Sequence, residues 1–463
     1  MKHIVIVGCG ASGALLAVNL IQHCSNIPLQ ISIFNNSPDL ANGIAYSTSH
    51  EEHLLNVRAN NMSALIERKD DFHNWLLRNN IEMLATDYAK RQDYGKYLRE
   101  LLEDSVNSKS DNIKINIYYD EVIDIEVNTE NSAYILSGNG LRIEADYIFL
   151  AIGNFPPSNP ILEDNSYVNS LNYFANSWNW GNFDDINLQN QTNKTIFILG
   201  TGLTMVDAVL TLNEKGIKSK IVALSRHGLL PAEHVPQGNY PDFSYEFQYK
   251  INLLEILNII KKHLKLAEDS GFSPLLVIDS LRPHLQDIWI NFSDNDKELF
   301  LRRLRHYWDV ARHRMPPQCS KYIKYLSNTG NLEIISGNLI SVREIENLLF
   351  IEYFDKKINK LEKIVSSTMI NCTGPETDLS NVKNTLLSNL FKKGMITNDR
   401  FKLGLNSSVE GAIKNSKNET SNFIFTLGPT LRGVLWETVA IPEIRVQAWK
   451  LAEMVAEKEK NIN

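Results

Sequence analysis

VIVGCGASG (residues 5–13) and ILGTGLTMVD (198–207) decide how this chain folds. Each follows an apolar, β-branched run and opens a helical pattern, the strand–turn–helix context in which a glycine-rich loop holds a dinucleotide. In the first, Gly8 permits the tight turn, Gly10 lets the backbone approach a pyrophosphate, and Gly13 lets the helix pack near the strand. The helix N-terminus, with Ser12 among the loop's contacts, offers free N–H groups and a positive dipole end to phosphate. The second loop keeps Gly200 and Gly202 but has Met205 at the third glycine position. Thr204 and the backbone at Leu203 are then left to hold the pyrophosphate. Two loops predict two dinucleotides in one polypeptide, and such a protein usually passes electrons between them.

Outward from the first loop, LQISIF (29–34) completes a β-α-β unit. The acid that would accept the adenosine ribose hydroxyls falls on Asn35, which hydrogen-bonds a ribose without charge assistance. In the second unit KIVALSR (220–226) ends at Arg226. A guanidinium there suits the 2′-phosphate of NADPH, where an acid would favour NADH. From about residue 245 to 328 the pattern turns helical and basic. Strands resume at 332–335, 348–353 and 368–372, followed by FIFTLGP (423–429) and a long helix over about 437–459. The predicted fold is α/β, with two Rossmann-like dinucleotide-binding domains, the second inserted in the first. The first takes residues 1–165 and 370–463; the second takes 166–369, with a helical insert at about 240–328.

The 463 residues suffice for two or three domains, and a net charge of −7 offers nucleic acid or anionic membrane no general attraction. Four scattered cysteines, with no CxxC pair, argue against a disulfide scaffold, a zinc site and a redox dithiol. The glycines of the first loop interrupt the N-terminal apolar stretch, so it reads as a fingerprint and the protein as cytoplasmic.

Further strings extend the pattern: NGIAY (42–46), HLLNVRANNMS (53–63), RQDYGKYL (91–98), LAIGNFPP (150–157), ALSRHGLLP (223–231), YWDVARHRMPP (307–317), INCTGP (370–375) and LGPTLRGVLWETVAIPEIR (427–445). Together with the two loops they resemble the bacterial FAD/NAD(P)-binding flavoproteins often mislabelled hydroxyacylglutathione hydrolase, and are distantly similar to NADPH-dependent flavin monooxygenases. The resemblance implies FAD in the first domain and a nicotinamide dinucleotide in the second, which Arg226 makes NADPH. It implies flavin contacts from Tyr46, Asn56, Arg58 and Met62, and from Gly153 and Gly428 at strand ends. It further implies a helix N-terminus at Trp436, Glu437 and Thr438 aimed at the flavin's pyrimidine edge. The hydrolase label needs a histidine–aspartate metal cluster. None of the eleven histidines forms an HxH or HxxxH pair, and no metal is expected.

No Ser-His-Asp or Cys-His order is defensible, as suits an enzyme whose cofactor carries the chemistry. His234, Arg312 and Arg314 are the candidate catalytic residues; the last two belong to a basic stretch that equally reads as a solvated helix face. YVNSLNYFANSWNW (167–180) lacks the histidine of a related monooxygenase signature, which weakens a Baeyer–Villiger reading. The expected reaction is hydride transfer from NADPH to flavin, then oxygenation of a small organic substrate. The alternatives are a flavin reductase or dehydrogenase that never oxygenates, and a non-catalytic redox-sensing flavoprotein.

Overall fold

Apolar, β-branched runs with few polar breaks suit strands buried on both faces, and parallel sheets are made of these. The computed structural model describes residues 1–179, 194–236, 238–247 and 252–460. Trp180, at the end of the 167–180 stretch, and residues 248–251 of the expected insert lie outside them. The first sheet runs in the order Ala412–Lys414, Thr420–Thr426, Tyr147–Leu150, Lys2–Val7, Leu29–Phe34, Ile113–Tyr118. Lys2–Val7 lies parallel to Leu29–Phe34 in the register Val5↔Ser32, and parallel to Tyr147–Leu150 in the register Val5↔Ile148. The chain's distal part returns to this sheet: Thr420–Thr426 lies parallel to Tyr147–Leu150, and helix Ile441–Lys460 packs on helix Ala11–His23.

The second sheet is ordered Lys360–Ser366, Leu348–Asp355, Leu332–Ile345, Lys220–Ser225, Thr195–Leu199, Thr368–Asn371, Tyr173–Phe174. Its parallel half is the second dinucleotide unit. Its antiparallel half is a meander whose first turn holds Glu346 and Asn347 at φ +50° and +60°, the two positive values a tight two-residue hairpin needs. Two expectations shift here. Strand Thr368–Asn371 pairs with Thr195–Leu199, so the chain leaves this sheet after Asn371 rather than at 370. Lys360–Ser366, whose solvent-facing lysines mask its period, is an additional strand.

The helical region is built from Leu253–Asp269, Pro274–Ser280, Leu285–Asn291, Asp294–Arg303 and Arg305–Arg312. Its starts are legible in the chain. Asn252 and Glu255 form a reciprocal capping box, Ser273 precedes Pro274 at the first helical position, and Ser293 accepts from the Asp296 N–H. The next helix, Pro317–Asn328, was expected in the insert. It buries Cys319, Ile323 and Leu326 in the core of the second domain instead, so the insert ends before it.

Candidate cofactor and substrate sites

The first loop needs its glycines for backbone reasons. Gly8 has φ +93°, and a Cβ there would lie 2.6 Å from the Ala151 carbonyl oxygen. A Cβ at Gly13 would collide with the Gly8 carbonyl. A cleft of about 310 Å³ opens against this loop, bordered by Gly8, Gly10, Ser12, Asn35, Tyr46 and Gly153 among others. A Cβ on Gly153, at φ +65°, would meet no protein atom within 4 Å, so that backbone faces open space. Asn35 borders the cleft, yet its side chain is engaged in holding the loop: Oδ1 accepts the Cys9 N–H at 3.0 Å and Nδ2 donates to the Ser37 carbonyl at 2.6 Å. An aspartate could make the first bond only.

Gly428 backs onto the same loop, where its Cβ would lie 2.7 Å from Ser12 Oγ. Thr438 Oγ1 donates to the Gly428 carbonyl at 2.8 Å, and Gln447 Oε1 accepts the Gly428 N–H at 2.7 Å. The helix expected from about residue 437 begins at Ile441, because Pro442 fits only the first turn of a helix. Trp436, Glu437 and Thr438 therefore form no helix N-terminus. Trp436 takes φ +62° and ψ −67° in a γ-turn closed by Glu437 N–H donating to the Leu435 carbonyl at 2.8 Å, a rare and strained geometry. Its ring turns away into the helical insert, stacked on Trp289 at 4.9 Å and 29° with Arg432 over its face at 4.8 Å. Glu437 is buried, accepting from Trp308 Nε1 at 3.3 Å and lying 3.5 Å from Arg312. Met62 is a core residue at 2 % exposure.

In the second loop Gly200 has φ +108° and passes too close to the Cys372 carbonyl for any side chain. Gly202 caps helix Leu203–Glu214, and a Cβ there would meet nothing within 4 Å; Leu203 and Thr204 follow in the first turn, half-buried. Arg226 ends strand Lys220–Ser225 with its side chain exposed, while its carbonyl accepts from Lys356 Nζ at 2.7 Å. Beside it the rings of His227 and His306 stack at 3.7 Å and 6°. Burial, then each other's charge, Lys356 and Arg226 hold His227 below the usual histidine range. Arg226, Lys356, His227 and His306 thus gather at the end of this strand.

Polar groups absent from the sequence expectations clasp the two domains. Arg91 pairs with Asp207 at 2.8 Å, both largely buried, and His50 pairs with Glu214 at 2.8 Å. His53 is fully buried; its Nδ1 meets Thr48 Oγ1 at 2.8 Å and its Nε2 meets Thr211 Oγ1 at 2.9 Å. Asp207 on the apolar face of LTMVDAVL was the available signal, since a buried acid demands a partner. Arg58 joins the same seam, with Nη2 donating to the Val235 carbonyl at 2.6 Å. The Asn56 carbonyl meets His234 Nε2 at 3.0 Å.

These contacts sort the catalytic candidates. Burial pushes His234 down to about 4, so it is neutral at pH 7, and it lines an interdomain cleft of about 360 Å³ with Arg58 and Tyr88. Arg314 is a clasp with every donor group engaged: Nε on the Ala311 carbonyl, Nη1 on Asp279, Nη2 on the Leu275 carbonyl. That removes it from the catalytic set. Arg312 is largely buried beside Glu437 and Glu443, its side chain 11% exposed, and its Nε has no hydrogen-bond partner.

His53 sets an acid limit on the clasp. Burial, and secondarily the Arg91 charge, take it from 6.5 to about 3. Between those values the unfolded chain binds a proton that the native state does not. The contribution is complete above about pH 6.5 and is lost as pH falls, at about 1.4 kcal/mol per unit. Acid unfolding of His53→Gln is expected to show a pH slope shallower by that amount; identical slopes would exclude His53 as the group responsible.

Residues 5–155 match the model of a family described as FAD-NAD(P)-binding. No curated protein is significantly similar to the chain. Among solved structures, the Kutzneria sp. 744 ornithine N-hydroxylase KtzI, with reduced FAD, NADP+ and L-ornithine, matches at 13% identity and TM-score 0.67. The match covers 99% of this chain and 100% of that one. L-lysine 6-monooxygenase of Pseudomonas syringae matches at 14% identity and TM-score 0.65, over 99% and 100%. The bacillithiol disulfide reductase Bdr of Staphylococcus aureus matches at 13% and 0.55, over 99% of each chain. Residues 5–155 thus resemble an FAD-NAD(P)-binding domain, in a chain whose whole length has the fold of these monooxygenases and this reductase.

Proposed function

We propose that the chain is an FAD-dependent NADPH oxidoreductase that reduces its flavin and then oxygenates a small organic substrate. The observation that carries this reading is the pairing of two glycine-loop helices in domains clasped by Arg91–Asp207. The residues fit both groups: Gly10 and Gly153 border open cleft, and Gly202 faces space that a pyrophosphate can fill. Bound there, the flavin would take hydride from NADPH and deliver electrons to oxygen. The chain's own part is to hold both dinucleotides, exclude water and present the substrate.

Thiol chemistry finds little support. All four cysteines are buried, and burial pushes Cys9 and Cys319 up to about 12 and Cys24 to about 11, so none is a ready thiolate. This favours oxygenation over a dithiol relay. Among the described residues no helix is long and apolar enough to cross a membrane.

Anaerobic NADPH is expected to bleach the flavin of the purified protein, and labelled oxygen to enter a product once substrate is supplied. Reduction without any oxygen incorporation would leave a reductase; no reduction would remove the oxidoreductase reading. Arg226→Ala is expected to raise the KM for NADPH by about 10- to 100-fold, the worth of a charge-assisted contact, with little change for NADH. Equal effects on the two would take Arg226 off the 2′-phosphate.

A further inference from the structure

The helical insert encloses an apolar chamber of about 320 Å³ that neither dinucleotide needs. Its walls are aliphatic, with Ile256, Leu257 and Ile278 among them, and aromatic at one end, with Trp289 and Trp436. Among the described residues no charged side chain lines it. Cores pack densely and leave few voids larger than a water molecule, whereas this volume is that of a small-ligand pocket, about 300–1,000 Å³.

Two observations orient an occupant. Tyr307 lines the chamber and is 60% exposed, so the chamber reaches solvent there; Trp289 and Trp436, at 2% and 5%, are buried in its wall. One stretch of chain borders both the chamber and the first cofactor cleft. Trp436 contributes its ring to the chamber, while Val439, three residues on, lines the cleft at the first glycine loop. Around Trp436, Arg312 lies 3.5 Å from Glu437 with its Nε unpartnered, and Arg432 and Arg305 lie over the indole at 4.8 and 5.9 Å.

We infer that this chamber holds the substrate, and that the substrate is a neutral, lipophilic small molecule whose body lies along the aliphatic walls. The inference rests on the oxidoreductase reading and names its substrate class. An amino acid such as the L-ornithine present with KtzI would bury a zwitterion among Leu and Ile side chains with no polar partner, which is strongly unfavourable.

The test uses the full-length holoprotein and straight-chain alcohols from hexanol to dodecanol as unreactive probes, followed by the fluorescence of the chamber tryptophans. Each added methylene is expected to tighten binding about three- to fourfold until the chamber is full, and L-ornithine is expected to leave the signal unchanged. In Ile278→Phe the plateau is expected at a shorter chain, with flavin content and melting temperature reporting that the variant is folded. Affinity that is flat along the series, a plateau that Ile278→Phe does not move, or ornithine binding as tight as dodecanol would each overturn the inference. Failure of the underlying reading looks different: alcohols bind with the expected chain-length dependence, but NADPH does not bleach the flavin.

Discussion

Arg91→Ala is expected to destabilise the folded protein by about 3–5 kcal/mol, the cost of leaving a buried charge without its partner. The guanidinium bridges to Asp207, which is 7% exposed on a helix of the second domain. Burial raises the Asp207 carboxyl above its ordinary value even though Arg91 opposes the shift. With Arg91 gone, the acid has every reason to take up a proton. The deficit should therefore be largest near neutral pH and shrink on mild acidification. Urea unfolding at two pH values checks both the size and the trend. The double variant Arg91→Met with Asp207→Leu separates a charge effect from a packing effect. It is expected to recover most of the loss, because an apolar pair removes both desolvation costs. A double variant as unstable as the single one would show that the clasp works through shape alone.

Gly13→Ala is expected to yield protein without bound flavin. A methyl group there would collide with the Gly8 carbonyl and touch the Ala151 side chain at 3.4 Å. Both neighbours belong to the sheet edge that carries the loop, and neither can swing aside like the end of a flexible side chain. Helix Ala11–His23 must then shift off strand Lys2–Val7, carrying its free N–H groups out of reach of a pyrophosphate. The measurement is visible absorbance per mole of purified protein, with far-ultraviolet circular dichroism as the folding control. A Gly13→Ala protein that retains a full complement of flavin would show that the loop tolerates displacement. Gly202→Ala, whose Cβ meets nothing within 4 Å, is the milder counterpart in the second loop.

Much of the cofactor machinery was legible in contiguous residues. A strand that must turn sharply needs Gly8, a helix that must lie against its strand needs Gly13, and a capped start follows from Asn252 and Glu255. Arg226 was placed by counting to the end of a strand, and the structure puts it there beside Lys356 and the stacked histidines. Other readings failed for one reason: they concerned where a side chain points. Trp436 was expected at the flavin and instead packs on Trp289 in the insert. Arg314, in a basic run read equally as ligand-facing or as a solvated helix face, does neither and closes three contacts inside the protein. Asn35 looked like a weakened ribose contact, and its amide proves to tie two backbone segments together.

The sequence by itself determined the two glycine-loop units, their order and the return of the distal segment to the first sheet. Backbone turns, helix starts and strand periodicity are satisfied within a few neighbouring residues. Only the tertiary structure decided the Arg91–Asp207 clasp and the apolar chamber floored by Trp436. Arg91 and Asp207 are 116 residues apart, and the chamber's walls come from helices of the insert together with one strained turn near the chain's end. Pairing a buried charge and leaving a void unfilled depend on which distant surfaces meet, and no local pattern of residues specifies that.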